Sequence, residues 1–575
     1  MNQEAIQRQL ERLLASPQFA QSGRLSRFLR LVVEETARGN GASLKEYRIG
    51  VEVFDRGRDF DPRIDPIVRV QATKLRAKLL EYYTGAGARD PVLIAVPKGT
   101  YAPDIQPRGA TEAPTAPPPA GRSRIAVLPL ANTSGDPENE HFSDGLTEEL
   151  INRLARVPGL QVVARTSVFR FKGIHEDVRE IGARLNVGVV LEGSVRRSRK
   201  QVRVSAQLVD VESGYQLFAK TYQREYKDIF QLQDELAQAV VSEIVPERSD
   251  APRFATPALG SLEAYNAYLR GMFAVANRFA NLHQSVAHFK EALAIEPRFA
   301  PAWAGLAHAY WVMAWFHMMP ATQALPLSRE AALRTLEIDP DSGLAHASLG
   351  IIESGLEWRW ESAVIRFKRA IQLQPGLAII YPFYAVICLM PQKRLDEACA
   401  AVSRGLELDP FNPLFHAMAT LVYAVSGRDA EAIRQHALGL EAAPRFPPIL
   451  AAGGLAYELA GRMDEAIANY QMAVDLAGDL PVALSMLAHA LAVSGQADEA
   501  RQILRRLMAL PRELDLDLAR VHLGLRDADE TFRWLHLAVE RRNIHLLTLT
   551  TDKRYDWLRA DPRFGRILEQ MSLAG

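Results

Sequence analysis

Six side chains in the first hundred residues carry the chemistry of polyanion binding. They are Arg69, Thr73, Lys74, Arg76 and Lys78 in "IVRVQATKLRAKL", and Lys98 in "VPKGT". Guanidinium groups pair bidentately with guanine edges, while ammonium and hydroxyl groups hold phosphate oxygens. An ordinary solvated helix face would carry the same cations, because Lys and Arg are good helix formers. The surrounding elements separate the two readings. Val68, Ala72, Leu75, Leu79 and Tyr82 recur at helical spacing, so 66–83 is expected to be a helix that buries this stripe and turns its cations outward. Pro66 suits its first turn. Ahead of it, "RLSRFLRLVVEETARGNG" and "SLKEYRIGVEVFDR" read as two more helices, the second with Ser43 as its cap. Behind it, "PVLIAVPKGTYAPDI" reads as two extended runs broken at "PKG".

Charge is the physical test of that frame. The chain has 68 basic and 68 acidic residues in 575, so nothing global draws it to nucleic acid or membrane. Residues 1–107, however, hold 17 Lys/Arg against 13 Asp/Glu. Helices followed by a basic helix and a hairpin are the plan of a winged helix. The segment resembles the DNA-binding domain of OmpR/PhoB-like regulators, "VRVQATKLRAKL" matching the recognition helix and "IAVPKGTYAP" the wing. The resemblance implies double-stranded DNA as a partner, with Lys98, Gly99 and Tyr101 at the wing's tip and anchor. A small charge excess makes a weak, salt-sensitive single module, for which a homodimer is one way to gain affinity.

The segment 103–122, "PDIQPRGATEAPTAPPPAGR", is proline-rich and core-poor, and is expected to link domain 1–102 to domain 123–246. In the latter, strand and helix signals alternate. "RIAVLPLAN" and "LQVVAR" read as strands. "SDGLTEELINRLARV", capped by Ser143, and "EDVREIGARLNV" read as helices. "GVVLEGSVRRSRKQVRVSAQLVDVESG" reads as a hairpin turning at "RSRK", and "DIFQLQDELAQAVVSEIV" as a closing helix. The segment resembles the TolB amino-terminal-like (FlgO-like) domain, on the words "IAVLPLANTSGDPENEHFSDGLTEELINRLARVPGLQVVARTS" and "VLEGSVRR". That resemblance implies an α/β coupling or sensing unit.

Beyond a second boundary at 247–262 the chain repeats. "AIEP", "EIDP", "QLQP", "ELDP" and "EAAP" end at Pro297, Pro340, Pro375, Pro410 and Pro444, at intervals of 43, 35, 35 and 34 residues. The excess in the first interval, around "WFHMMPATQALP", reads as an insertion between helices. Trp303, Leu306, Ala307 and Tyr310 correspond to His346, Leu349 and Gly350, then to Tyr381, Tyr384 and Ala385. Ala363, Phe367 and Ala370 correspond to Ala466, Tyr470 and Ala473. Region 263–540 resembles the tetratricopeptide repeat, in about six or seven copies. An all-α superhelix with a concave surface for a protein or peptide partner is implied. The tail 541–575 leaves the period and reads as a terminal cap anchored by Trp557 and Phe564.

Other candidate chemistry is weaker. Asp136, Glu138, Glu140 and Asp144 have the spacing of a solvated loop, and His283 and His288 lack the spacing of a metal pair. Arg196, Arg197, Arg199 and Lys200 stand at a hairpin tip, where phosphate or an acidic partner is the functional alternative to plain solvation. Phosphate-cradle, dinucleotide, HExxH and GxSxG motifs do not occur. The two cysteines, Cys388 and Cys399, make neither a disulfide framework nor a cysteine zinc site. No catalysis, cofactor or metal is expected. A polar N-terminus and the Pro382-interrupted run "LAIIYPFYAVICLMP" lead to the expectation of a cytoplasmic protein without membrane contact. The expected function is a DNA-binding transcriptional regulator with partner-binding repeats. The alternative is an adaptor that binds no DNA, or a cyclase-associated signalling scaffold.

Overall fold

A computed structural model describes residues 3–573, apart from 17–18, 20–21, 39, 58–59, 61–66, 85–86, 88–89, 91, 98–99, 108–122, 137–138, 158, 175, 199–200, 245–260, 277–281 and 511–513. Two compact units divide the chain, residues 1–118 and 119–575.

In the first unit, α1 (Gln3–Ala15), α2 (Gly23–Ala37), α3 (Glu46–Phe54) and α4 (Ile67–Thr84) precede an antiparallel hairpin of β1 (Val92–Ala95) and β2 (Asp104–Pro107). The sequence reading counted three helices. The polar N-terminal stretch adds α1, whose Leu10 and Leu13 are fully buried against the rest of the core. Strand β2 runs to Pro107, so the boundary read at 102 cuts through the hairpin. Ser43 does not cap α3. It closes a 3₁₀ turn, its hydroxyl donating to the Asn40 carbonyl, and α3 begins three residues later at Glu46. Pro66 and the wing tip, Lys98 and Gly99, lie outside the described residues.

The second unit opens with a mixed sheet. Strand β3 (Arg124–Val127) pairs in parallel with β5 (Gln161–Val162) and β6 (Val189–Arg197). Strand β4 (Ala131–Asn132) also joins β6 in parallel. The meander β6, β7 (Gln201–Asp210), β8 (Gln216–Glu225) completes it. Strand β8 was not read from the sequence, because only Tyr222 of its ten residues is buried and its alternation is faint. Helices α5 (Glu140–Leu154), α6 (Val178–Leu185) and α7 (Ile229–Ile244) accompany the sheet. Ser143 is not a cap: α5 starts at Glu140, leaving Ser143 fully buried one turn inside.

Among the described residues eight helix pairs follow: α8 (Leu262–Ala276) with α9 (Leu282–Ile295), α10 (Ala300–Trp315) with α11 (Ala321–Ile338), and α12 (Gly343–Gly355) with α13 (Trp360–Leu373). Helix α14 begins at Ile380–Phe383, continues as a π-helical stretch Tyr384–Leu389, and pairs with α15 (Leu395–Leu408). Then come α16 (Pro413–Val425) with α17 (Asp429–Ala442), α18 (Pro447–Leu459) with α19 (Met463–Ala477), α20 (Pro481–Val493) with α21 (Ala497–Met508), and α22 (Asp515–Gly524) with α23 (Ala528–Glu540). The count exceeds six or seven because three pairs, α18 to α23, follow Pro444, the last proline landmark, within the same region. The long first interval is absorbed mainly by longer helices, α10 and α11 having 16 and 18 residues, and only slightly by the connection. A last helix, α24 (Pro562–Gln570), lies in the tail.

The repeat spacing has physical causes. Small residues sit beneath aromatics of the paired helix: a Cβ on Gly350 would stand 2.9 Å from the Phe367 ring, and one on Gly454 2.4 Å from Tyr470. The polar aromatic near the start of four first helices bonds back to the carbonyl of the preceding landmark proline. Trp303 Nε1 reaches Pro297 at 2.9 Å, His346 Nε2 reaches Pro340 at 3.3 Å, the Tyr381 hydroxyl reaches Pro375 at 2.8 Å, and His416 Nε2 reaches Pro410 at 2.9 Å. Each such bond closes a helix–turn junction whose carbonyl would otherwise lack a partner. Among the described residues, no helix is long and apolar enough to cross a membrane.

Candidate nucleic-acid interface and the inner side of the array

Helix α4 packs as its pattern requires: Val68, Ala72, Leu75, Leu79 and Tyr82 are all buried. Its cations divide by flank. Arg69 and Arg76, seven apart, share one side. Arg76 spends its guanidinium on the hairpin, Nε donating to the Val96 carbonyl at 2.9 Å and Nη2 to those of Pro97 and Thr100 at 2.9 and 3.1 Å. Arg76 is expected among the residues reaching toward DNA; in the structure its guanidinium ties the hairpin to the helix. Arg69 is 53% exposed and lies 3.5 Å from Glu46 on α3. Glu46 also accepts the Tyr101 hydroxyl at 2.6 Å. Burial, followed by that hydrogen bond, pushes the Tyr101 phenol well above its usual range. Tyr101 thus anchors the hairpin segment, its ring also standing 6.4 Å from that of Phe28. On the other flank Lys74 is exposed and Lys78 half-buried. The side chain of Thr73, and Lys98 as a whole, lie outside what the structure describes.

Of the remaining sequence candidates, Glu138, Arg199 and Lys200 lie outside the described residues. Lys172 Nζ lies 2.6 Å from both Glu140 and Asp144, so these two acids serve an ion pair. No metal-binding cluster occurs among the described residues. His288 lies 3.3 Å from Glu291 and His283 is exposed.

The array differs more from expectation. Its first helices are buried on nearly every side: of α22 only His522 is not buried, and every residue from Ile380 to Leu389 is. The second helices bury a single stripe, in α13 only Trp360, Ala363, Phe367 and Ala370. A helix apolar all round must be covered on both sides. One cover is the paired helix. The other is supplied by the neighbouring first helices and in part by the tail, which packs on the last pair, α22 and α23, and also reaches back onto earlier pairs. His545 stacks 4.5 Å from His317 and packs 5.0 Å from Trp315. Ile544 covers Gly355, and Thr550 Oγ1 donates to the Pro391 carbonyl at 2.8 Å. Trp360 Nε1 donates to the carbonyl of Met571 at 2.8 Å. Phe564 is buried as an anchor, but Trp557 is 37% exposed, and Tyr555 takes the second buried place.

The charged centre of this docking is Arg554. Its Nη2 lies 2.7 Å from Asp552 and its Nη1 3.4 Å from Glu458 on α18, with all three side chains almost fully buried. Tyr470 donates to Glu458 at 2.8 Å, and His489 Nδ1 stands 2.9 Å away. Burial alone would raise the Glu458 carboxyl, but Arg554 and His489 outweigh it and hold it at about 2.

The sheet domain is docked on the same array. Ser167 donates to Asp409 at 2.5 Å and accepts from the Phe411 N–H, Ala164 N–H bonds the Leu408 carbonyl, and the Tyr268 hydroxyl on α8 donates to Glu149. The boundary read at 247–262 therefore does not separate two independent bodies.

No family model matches the chain. Over 270 residues it is 34% identical to "Putative adenylate cyclase 3" of Rhizobium meliloti (strain 1021), covering 45% of each protein. Over 302 residues it is 23% identical to "Transcriptional regulator HilA" of Salmonella typhimurium (strain LT2), covering 52% of each. The chain thus spans about half the length of these curated relatives. Among solved structures it is similar to YrrB, a TPR protein with an unusual peptide-binding site (17% identity, TM-score 0.25, 34% of this chain and 95% of that one). It is also similar to a tetratricopeptide repeat protein from Parabacteroides merdae ATCC 43184 (11%, TM-score 0.33, 46% and 100%).

Proposed function

We propose that the chain is a non-catalytic, DNA-binding regulator. The N-terminal unit is its winged-helix output, the sheet domain a TolB-like coupling unit, and the tetratricopeptide-type array its protein- or peptide-binding part. The observation that carries the DNA reading is helix α4: it buries one complete stripe, is stapled through Arg76 to the hairpin behind it, and turns Arg69 to solvent on one flank and Lys74 on the other. A long, half-exposed ion pair such as Arg69–Glu46 is weak and exchanges readily for phosphate. The resemblance over half its length to a protein named as a transcriptional regulator supports the same reading.

The test is fluorescence anisotropy of duplex DNA with the full chain and with residues 1–118. Binding is expected to weaken steeply with salt, and Lys74→Ala and Arg69→Ala to weaken it further. Absent or salt-independent binding by a folded protein overturns the proposal. A second reading, an adaptor without nucleic acid, is favoured by one observation: Arg69 and Arg76 both have partners inside the unit. A folded full chain that binds no duplex even at low salt would decide for it.

A further inference from the structure

Where the sheet domain meets the first array helix, a half-open cavity of about 600 Å³ lies between them. Ser134, Asn139, Arg197 and Ser198 line it from one side, Asn266 and Arg270 from the other. Asp136, exposed, is the carboxylate among its lining residues. Arg197 ends strand β6, and its guanidinium carbon lies 4.1 Å from the centroid of the Tyr226 ring and 5.0 Å from that of Phe142. Both rings are buried. Its backbone N–H is fixed by the Ser134 hydroxyl at 2.9 Å. Among the described residues the guanidinium makes these aromatic contacts and no ion pair or hydrogen bond.

A guanidinium stacked on rings keeps its N–H donors in the plane, directed away from the rings, which is the geometry of bidentate oxyanion capture. Two further features of the wall agree with a negative ligand. Helix α5, fifteen residues long, starts at Glu140 just after its N-cap Asn139, which lines the cavity, and directs its N-terminal N–H groups toward this end. Asn266 accepts the Tyr226 hydroxyl with its carbonyl oxygen, which leaves its amide N–H groups as donors. Arg270 adds a second cation, shared with Glu291 at 2.7 Å.

We infer that this cavity binds a small oxyanion, a phosphate ester or a carboxylate, between Arg197 and Arg270. Its walls belong to the sheet domain and to α8, so the bound anion ties the two together. The site stands whether or not the N-terminal unit binds DNA.

Isothermal titration of the full chain with inorganic phosphate and, separately, with citrate tests this and tells the two oxyanion classes apart. At least one is expected to bind saturably and to raise the melting temperature. Arg197→Met keeps a flat apolar cover on Tyr226 and is expected to weaken binding about tenfold or more, the scale of a charged hydrogen-bonded contact. Arg196→Met, one residue earlier and on the opposite sheet face, is expected to leave binding unchanged. If Arg197→Met does not fold, Arg270→Met on the array side must show the loss instead. No saturable binding of either anion by wild type overturns the site. So does wild-type affinity in the folded Arg197→Met protein, or an equal loss in Arg196→Met.

Discussion

Arginine does opposite work in the two compact units. On α4 the apolar stripe faces in, and Arg69 is half-exposed beside a carboxylate 3.5 Å away. In the C-terminal segment Arg554 is turned wholly inward, onto Asp552 and Glu458. A cation at the surface is screened and can trade its partner for a phosphate. A buried cation holds its carboxylates in place, and those carboxylates make its removal costly. The first arrangement suits reversible recognition, the second a permanent closure. The inner side of the array is thus in part covered by the protein itself, while the second helices expose Ile365, Met472 and Met508.

The largest test of this contrast is Arg554→Met. It leaves Asp552 without its guanidinium and Glu458 with only Tyr470 and His489, and should destabilise the second unit by about 3–5 kcal/mol in denaturant unfolding. A loss below about 1 kcal/mol would mean that the tail is only loosely seated. Acid probes the same contact from the carboxylate side. Glu458 titrates at about 2 in the folded chain, below the ordinary value of about 4.3. Its contribution is therefore complete above the ordinary value and lost as pH falls from there toward 2. Hydrogen exchange in 541–573 should accelerate over that window in wild type and lose the Glu458 component in Glu458→Gln.

The array's close packing gives the next effect. Gly454→Ala puts a methyl group 2.4 Å from the Tyr470 ring, at a cost of about 1–3 kcal/mol. An unchanged melting temperature would show that this pair has room to spread.

How far these features could be read in advance follows from their range along the chain. The buried stripe of α4 and the Ala363, Phe367, Ala370 spacing are local periodicities, and both appear in the sequence as they appear in the fold. The tail's docking joins Thr550 to Pro391 and Trp360 to Met571, and the sheet domain's joins Ser167 to Asp409. Contacts separated by 159 to 242 residues leave no periodic trace. One signal was available. Stretches such as "PPILAAGGLAYEL", apolar on every face, announce a second cover without saying what supplies it. Arg76 shows the complementary failure: a helical wheel places it on the exposed flank, and only the hairpin's carbonyls reveal its use.

The smallest effect separates recognition from scaffolding on α4 itself. Arg76→Ala removes three hydrogen bonds to the hairpin and should destabilise the N-terminal unit by about 1–2 kcal/mol. It should weaken DNA binding only as far as the wing becomes disordered. Lys74→Ala removes an exposed side chain and should change stability by less than about 0.5 kcal/mol. It should nevertheless weaken binding to all duplexes alike and reduce the salt slope by about one. The opposite outcome, a destabilised Lys74→Ala protein beside an Arg76→Ala protein that loses DNA while keeping its stability, would return Arg76 to the reading surface and make Lys74 structural.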